Sequence, residues 1–434
     1  MKKFSIVAIV LFVLAMGVQA QTSAEFWHAM TGKNGAMVES LAEKFNSSQN
    51  LYKIVPVYKG SYSDTMNAGI AAFRAGQSPA ILQVYEVGTA TMMAAKGAVK
   101  PVYQLMAENN EKFDPNIYIP TVKGYYTTAD GKMLSMPFNS STAVMYYNKD
   151  AFKKAGLDPE KAPTTWPEFF AAARKLKAAG MEGGYTTNWI SWIQLENFSA
   201  WHDVPFGTKS NGFEGLDTSL VFNTPLQIKH FEQMYKDSKD KVFIYGGREN
   251  KANPLFISGQ VGMHFESIGG YGNMKANCKF DFGVARIPYY PDVKGAPQNS
   301  IIGGASLWVL NGKSKAEYQA VADFFSFIST PEMQSYWHRE TGYCPVTNAA
   351  YELTKSMGFY KDFPGHEIAI KQLLNKAPTA NSKGIRFGNF NIIREIEDQV
   401  WEDILADKIS VKDGLDKMVK DGNSKLREFE RLNK

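Results

Sequence analysis

The residues of this chain best equipped for chemistry are six histidines, at positions 28, 202, 230, 264, 338 and 366, and two cysteines, at 278 and 344. Their spacing withholds most of that chemistry. No histidine pair falls at a zinc-type interval and there is no Cys-x-x-Cys, so a catalytic metal is not expected. Phe265-Glu266-Ser267-Ile268-Gly269 comes near a nucleophile elbow but lacks the leading glycine that the strained turn requires. Ser267 therefore reads as a hydrogen-bond donor. Gly269, Gly270 and Gly272 lack the third glycine of a dinucleotide fingerprint and read as a flexible turn. Carboxylates are plentiful, but sequence alone sets no two of them at glycosidase separation. The expectation is a protein without a cofactor or metal and without a catalytic centre.

The elements that would position such residues alternate along the chain. Apolar, β-rich runs at 54–58, 80–85, 143–147, 261–265, 280–287 and 305–310 are separated by helical patterns, which predicts an α/β fold. Met37, Val38, Leu41 and Phe45 repeat at helical spacing, as do Met66, Ile70 and Phe73. Thr165 with Glu168, and Ser314 with Glu317, form capping boxes. Pro167 in the first turn and Gly180 at the end bracket the first of these helices, and the second buries Tyr318, Val321, Phe325 and Ile328. A chain of 434 residues exceeds the size at which one core keeps growing, so two lobes are expected.

Composition narrows the setting. Net charge is +5, or +3 without Lys2 and Lys3, and acids are scattered among bases, which argues against nucleic acid as a partner. Lys2 and Lys3 precede an apolar run from Phe4 to Val18, and Val18-Gln19-Ala20 offers the small-residue site that signal peptidase cuts. Residues 1–20 are thus read as a secretory signal, and no cysteine follows the cut to carry a lipid. Cys278 and Cys344 are taken as separate thiols, with a bridge left open. The mature protein is expected to be soluble.

What the sequence does carry is recognition. Pro137-Phe138-Asn139-Ser140-Ser141-Thr142-Ala143-Val144-Met145-Tyr146-Tyr147-Asn148, continuing to Lys154, resembles the signature segment of family 1 extracellular solute-binding proteins. In that family, which includes the maltose-binding proteins, the segment crosses from one lobe to the other and brings polar groups to the cleft. Physically, Asn139, Ser140 and Ser141 are small donors at the mouth of a buried β-run, and a turn rich in Ser and Asn would look the same. YKIVPVYKG from Tyr52, AILQVYEVGTATMM from Ala80, WIQLENFSAW from Trp192 and QNSIIGGASLWV from Gln298 are similar to the branch of the family that binds glycerol-3-phosphate.

The resemblance covers nearly the whole mature chain and implies a periplasmic, monomeric two-lobe binding protein (type II, maltose-binding-protein-like) that is no enzyme and serves an ABC importer's membrane permease. It implies that lobe one takes 21–138 plus 299–340 and lobe two 139–298 plus 341–434, closing about a hinge on the ligand. The small-molecule ligand would be glycerol-3-phosphate, with diesters such as glycerophosphocholine left open. Carried over residue by residue, the ligand would meet Tyr62, Glu86 and Ser141, then Trp189 and Trp192 in NWISW, and Ser267, Gly304, Tyr343 and Arg394. One departure bears on the phosphate shell: Ile268 and Gly269 follow Ser267 where that branch is richer in small hydroxyl residues.

Each residue has a plainer rival role. Arg394 supplies a permanent cation just inside a helix start, with Ile393, Ile396, Val400 and Ile404 as the apolar face; alternatively it pairs with Asp398 across one turn, a surface contact worth ~0.3–0.5 kcal/mol. Tyr62 and Tyr343 offer phenolic donors or merely pack with a wet tip. Gly304 admits a ligand to its N–H or marks a bulge. Trp189 and Trp192, three places apart, present faces to the ligand or anchor a helix. Glu86, an anion beside an anionic ligand, would accept glycerol hydroxyl protons. Two other functions compete: a neutral-oligosaccharide binder on the same fold, which needs no Arg394, and a secreted phosphodiesterase, for which no metal cluster or nucleophile is evident.

Overall fold

The computed structural model describes residues 21–128 and 130–434. The 1–20 segment read as a secretory signal lies outside the described residues. Among the described residues ten strands form two sheets. The first holds β1 (Thr22–His28), β2 (Tyr52–Tyr58), β3 (Ile81–Tyr85), β4 (Val99–Lys100), β5 (Met136–Ser141) and β10 (Gly303–Leu310), in the order β2-β1-β3-β10-β4 with β5 on β10. The second holds β6 (Ala143–Asn148), β7 (Gly183–Thr187), β8 (Val261–Ser267) and β9 (Phe282–Ala285), in the order β7-β8-β6-β9. The run 280–287 thus yields a shorter strand than its apolar pattern suggests.

A single residue, Thr142, separates β5 from β6, so the chain passes from one sheet to the other within one step. Thr142 is held there by its hydroxyl, 2.7 Å from Ser300 Oγ and 2.9 Å from the Ile301 carbonyl. Those partners belong to the segment entering β10, where the chain returns to the first sheet. Both crossings are therefore tied to each other, beside one end of each sheet.

Helices cover the sheets as their stripes predict. The helix Gly32–Ser48 buries Met37, Val38, Leu41 and Phe45, and the helix Lys315–Ile328 meets it with Phe324 edge-on to Phe45 at 5.4 Å. Each such ring or aliphatic chain contributes ~1.5–3 kcal/mol on leaving water. Both capping boxes are present, at Thr165/Glu168 and Ser314/Glu317, with a further one at Ser61/Asp64 that starts the helix Tyr62–Arg74. Tyr318, Ile70 and Phe73 are only half-buried, at the margins of their stripes. On the second sheet, the helix Pro364–Leu373 brings Gly365 against Val284 of β9. Cys278 and Cys344 are both free.

Candidate functional site

All nine residues singled out from the sequence line one cavity between the two sheets: Tyr62, Glu86 and Ser141, then Trp189, Trp192 and Ser267, then Gly304, Tyr343 and Arg394. They come from strands, helices and turns spread over more than three hundred positions. Ser141 closes β5 and lies opposite Gly303 in the register with β10. Gly304 adopts φ +96°, and a Cβ there would stand 1.8 Å from the Asn139 carbonyl, so only glycine fits. Its neighbour Gly303 leaves room for the Trp192 ring, whose Cζ2 would lie 2.3 Å from an added Cβ.

One end of the cavity carries hydroxyl groups, with the Glu266 carboxyl beside them. Tyr62 stacks on Tyr85 with ring centres 5.3 Å apart, and its hydroxyl accepts from Asn139 Nδ2 at 2.8 Å. Tyr343 follows the left-handed cap Gly342 and lies over Gly269. Burial raises the pKa of both phenols, so both remain protonated donors at neutral pH. Ser267 ends β8 and caps the turn beyond it, its Oγ accepting the Gly269 N–H at 3.0 Å.

Arg394 is not arranged as the helix-start reading expects. It is the fifth residue of the helix Phe390–Leu405, and the cavity lining includes Arg394 but none of residues 389–393. Nor does it make the surface pair with Asp398. It is only 7 % exposed and grips Glu196, Nε to Oε1 at 2.6 Å and Nη2 to Oε2 at 2.8 Å, while Nη2 also reaches Glu86 Oε1 at 2.7 Å. Burial alone would lower the guanidinium, but Glu196 and Glu86 hold its pKa well above the ordinary value. Burial raises the Glu196 carboxyl, opposed by Arg394. One turn further on, burial pushes Asp398 up to about 7 and Glu397 well above the carboxylate range. The cation is thus matched by two carboxylates before any ligand arrives, and Nη1 is the nitrogen left without a protein partner among the described residues.

The positive end facing the cavity belongs to another helix. Thr31, Gly32, Lys33 and Asn34 all line it, at the N-terminus of the helix Gly32–Ser48. The first backbone bond of that helix runs from the Gly35 N–H to the Thr31 carbonyl at 3.0 Å, so the N–H groups of Gly32, Lys33 and Asn34 precede it and remain available. Asn34 Nδ2 donates to the Gly269 carbonyl at 3.2 Å and joins this helix start to the turn after β8.

The two tryptophans differ. Trp189 is not on the helix but in the turn before it, at φ +45°, half-buried, with Nε1 donating to Asn250 Oδ1 at 2.7 Å. Trp192 is 4 % exposed and part of the core. The sequence reading missed Lys33 and Asn34, Glu196, Glu266 and the asparagines 250, 253 and 273. For Glu196 and Glu266 a signal was present: each is a lone carboxylate inside an apolar run, WIQLENF and VGMHFES, where a charge needs a reason. For the others no pattern marks them out from surface polar residues.

Comparison with known proteins bears on the whole chain. A family described as bacterial extracellular solute-binding protein matches residues 40–365. The chain is 51 % identical to the sn-glycerol-3-phosphate-binding periplasmic protein UgpB of Pectobacterium atrosepticum over 422 residues, 97 % of this chain and 95 % of that protein. It is 52 % identical to the protein of the same name from Salmonella typhimurium over 416 residues, 96 % of this chain and 95 % of the relative. Among solved structures it is similar to UgpB from Mycobacterium tuberculosis in complex with glycerophosphocholine, with a TM-score of 0.79 and 21 % identity over 94 % of this chain and 99 % of that one. It is also similar to the cyclic alpha-maltosyl-1,6-maltose binding protein from Arthrobacter globiformis, with a TM-score of 0.73 and 24 % identity over 94 % and 100 % of the two chains. At those identities the solved structures establish the fold, the two-lobe α/β architecture of maltose-binding-protein-like solute receptors.

Proposed function

Since the chain belongs to the family of bacterial extracellular solute-binding proteins, which bind and do not transform their ligands, we propose that it captures glycerol-3-phosphate in the periplasm and presents it to the permease of an ABC importer. Cleavage after Ala20 and a monomeric, lipid-free mature form belong to the same proposal, as does the division into lobes of 21–138 plus 299–340 and 139–298 plus 341–434, with its first crossing moved to Thr142 because Asn139–Ser141 pair with β10 in the first sheet. The observation that carries it is the convergence of nine distant residues on one cavity with a hydroxyl-rich donor end and a carboxylate-bound arginine. Relatives about half identical over 95 % of their length, named for this ligand, point the same way.

The distribution of charge supports one orientation of the ligand. A phosphate monoester needs several converging hydrogen-bond donors. Tyr62, Tyr343, Ser141, Ser267 and the Gly304 N–H meet that need, with Lys33 and the start of the helix Gly32–Ser48 adding positive potential. Arg394, already matched by Glu86 and Glu196, suits the neutral glycerol: Nη1 donates to a hydroxyl oxygen and Glu86 accepts a hydroxyl proton. The phosphate-binding cation expected at Arg394 is thereby reassigned to the polyol end.

Calorimetric titration with glycerol-3-phosphate, glycerophosphocholine and maltose tests this. Saturable binding of the phosphate esters is expected, at ~8 kcal/mol for a micromolar ligand, with no heat from maltose. Maltose binding without phosphate-ester binding would establish the oligosaccharide alternative, and choline released from the diester would establish the phosphodiesterase.

The tryptophans give a second test. Trp189→Ala is expected to weaken binding while leaving the melting temperature nearly unchanged, because the ring is half-exposed and held by one hydrogen bond. Trp192→Ala should lower both, losing ~3–5 kcal/mol of stability as a buried aromatic is removed. Unchanged affinity in Trp189→Ala would take that ring out of the site.

A further inference from the structure

Glu266 has no task in the ligand reading above. It is the penultimate residue of β8, 1 % exposed, lines the cavity, and adjoins Ser267. Both oxygens accept from the protein, Oε2 from Asn188 Nδ2 and Oε1 from the Ser267 N–H at 2.5 Å. Gly270 is packed against it: a Cβ there would lie 3.0 Å from Glu266 Cγ, a tight contact. Two cations line the same cavity and neither bonds this carboxyl. Arg394 is held by Glu196 and Glu86, and Lys33 Nζ lies 3.2 Å from Glu340.

Its other titratable neighbours are uncharged. Tyr146 faces it from β6 and Tyr343 from the segment after the helix Pro331–Thr341, both phenols raised by burial. His264, two places back on the same strand, is lowered by burial to about 3 and is neutral. A carboxylate so placed gains no ion pair from ionising, and burial pushes its pKa up to about 7.

We propose that Glu266 is a specificity-determining residue of the cleft that shares one proton with the ligand's phosphate, an inference that rests on the phosphate-ester reading. A phosphate oxygen bound at Ser267 lies beside this carboxyl. Two bare anions in that position repel, whereas one proton between them makes a charge-assisted O–H···O bond. The phosphate of a diester carries no proton near neutral pH, so Glu266 must take its proton from solution. A monoester, whose second ionisation lies at about 6, can bring the proton itself. Ligands that fit the shape but meet an ionised Glu266 are rejected.

Titration of the mature protein with glycerophosphocholine, in pairs of buffers of different ionisation enthalpy, measures the protons taken up on binding. Uptake is expected to be small at about pH 6 and to approach about one proton at about pH 8.5, with affinity falling by up to about tenfold per pH unit above the Glu266 value. Glu266→Gln, whose amide donates without titrating, should bind the diester with no uptake and with affinity flat across that range. Binding by the unaltered protein without uptake at about pH 8.5 overturns the proposal, and so does an uptake that survives in Glu266→Gln, which would transfer it to Asp398 or Glu196. The measurement on the unaltered protein stands even if the variant folds poorly. Failure of both glycerol-3-phosphate and the diester to bind at any pH would overturn the phosphate-ester reading and this inference together; binding without uptake overturns this inference alone.

Discussion

Arg394→Ala is expected to lose about 3–5 kcal/mol of stability before any ligand is added, because it strands two buried carboxylates. Glu86 and Glu196 are both nearly inaccessible, and both lean on the same guanidinium. The bond to Glu86 ties the turn after β3 to the helix Phe390–Leu405, so its loss also loosens the wall of the cleft. The sign of the pH effect follows from Glu196, whose carboxyl burial raises and Arg394 opposes. Without Arg394 the rise is unopposed. A raised carboxyl contributes stability that is complete below its unfolded value of about 4.3 and is lost as the pH climbs through its folded value. The deficit of Arg394→Ala should therefore be smaller at about pH 5 than at about pH 8. Thermal melts at both pH values check this, and Glu196→Gln added to Arg394→Ala should recover part of the loss. Arg394→Lys keeps the charge but not the two-pronged grip on Glu196, and should fall between. Asp398→Asn, which breaks no pair with Arg394, is the control. Glycerol-3-phosphate affinity is then measured on the folded fraction, where a loss is expected for Arg394→Ala. A variant as stable as the parent, with full affinity, would remove Arg394 from both roles.

The contrast between Arg394 and its partners shows what sequence patterns convey. Six of the ten described strands, the helical stripes and both capping boxes are local, set by residues within a few positions of one another, and they stand in the structure within two or three residues of where periodicity puts them, whereas β1, β4, β5 and β7 fall outside the apolar runs. The nine cavity residues were legible through resemblance, which carries over the outcome of folding without its geometry. Arg394 illustrates the gap. Its one-turn neighbour Asp398 is visible from spacing, but the partners that hold it lie 198 and 308 positions away. No periodicity encodes a contact across that distance. The same holds for Trp189 and Trp192, whose interval of three suggests a shared helical face. Trp189 instead takes a positive φ ahead of the helix and turns to Asn250. The helix start at the cavity was legible as a helix, from Met37, Val38, Leu41 and Phe45. That its free N–H groups face the cavity depends on Asn34 meeting the turn after β8, a tertiary contact.

Gly304→Ala is the second substitution expected to have a large effect, and its cost has two separable parts. The residue sits at φ +96°, where a side chain is strained, and the added Cβ would meet the Asn139 carbonyl at 1.8 Å. The first part is a conformational cost of ~1–3 kcal/mol. The second is a clash between backbones of β10 and β5, which neither strand can relieve by rotating a side chain. Gly312 isolates the first part: it has φ +89° but nothing within 4 Å of an added Cβ. Gly312→Ala should therefore lose only the conformational cost, and Gly304→Ala clearly more, read from denaturant unfolding of both. The extra loss has a functional sign as well. Moving β10 away from Asn139 shifts the Gly304 N–H and breaks up the Asn139 bond to Tyr62, so two of the donors proposed for phosphate move together. Binding of glycerol-3-phosphate should fall at least tenfold in folded Gly304→Ala, about 1.4 kcal/mol, and be unchanged in Gly312→Ala. Equal stability losses in the two variants would mean that the backbone approach at Gly304 is not what excludes a side chain, and equal affinities would mean that its N–H lies outside the ligand's reach.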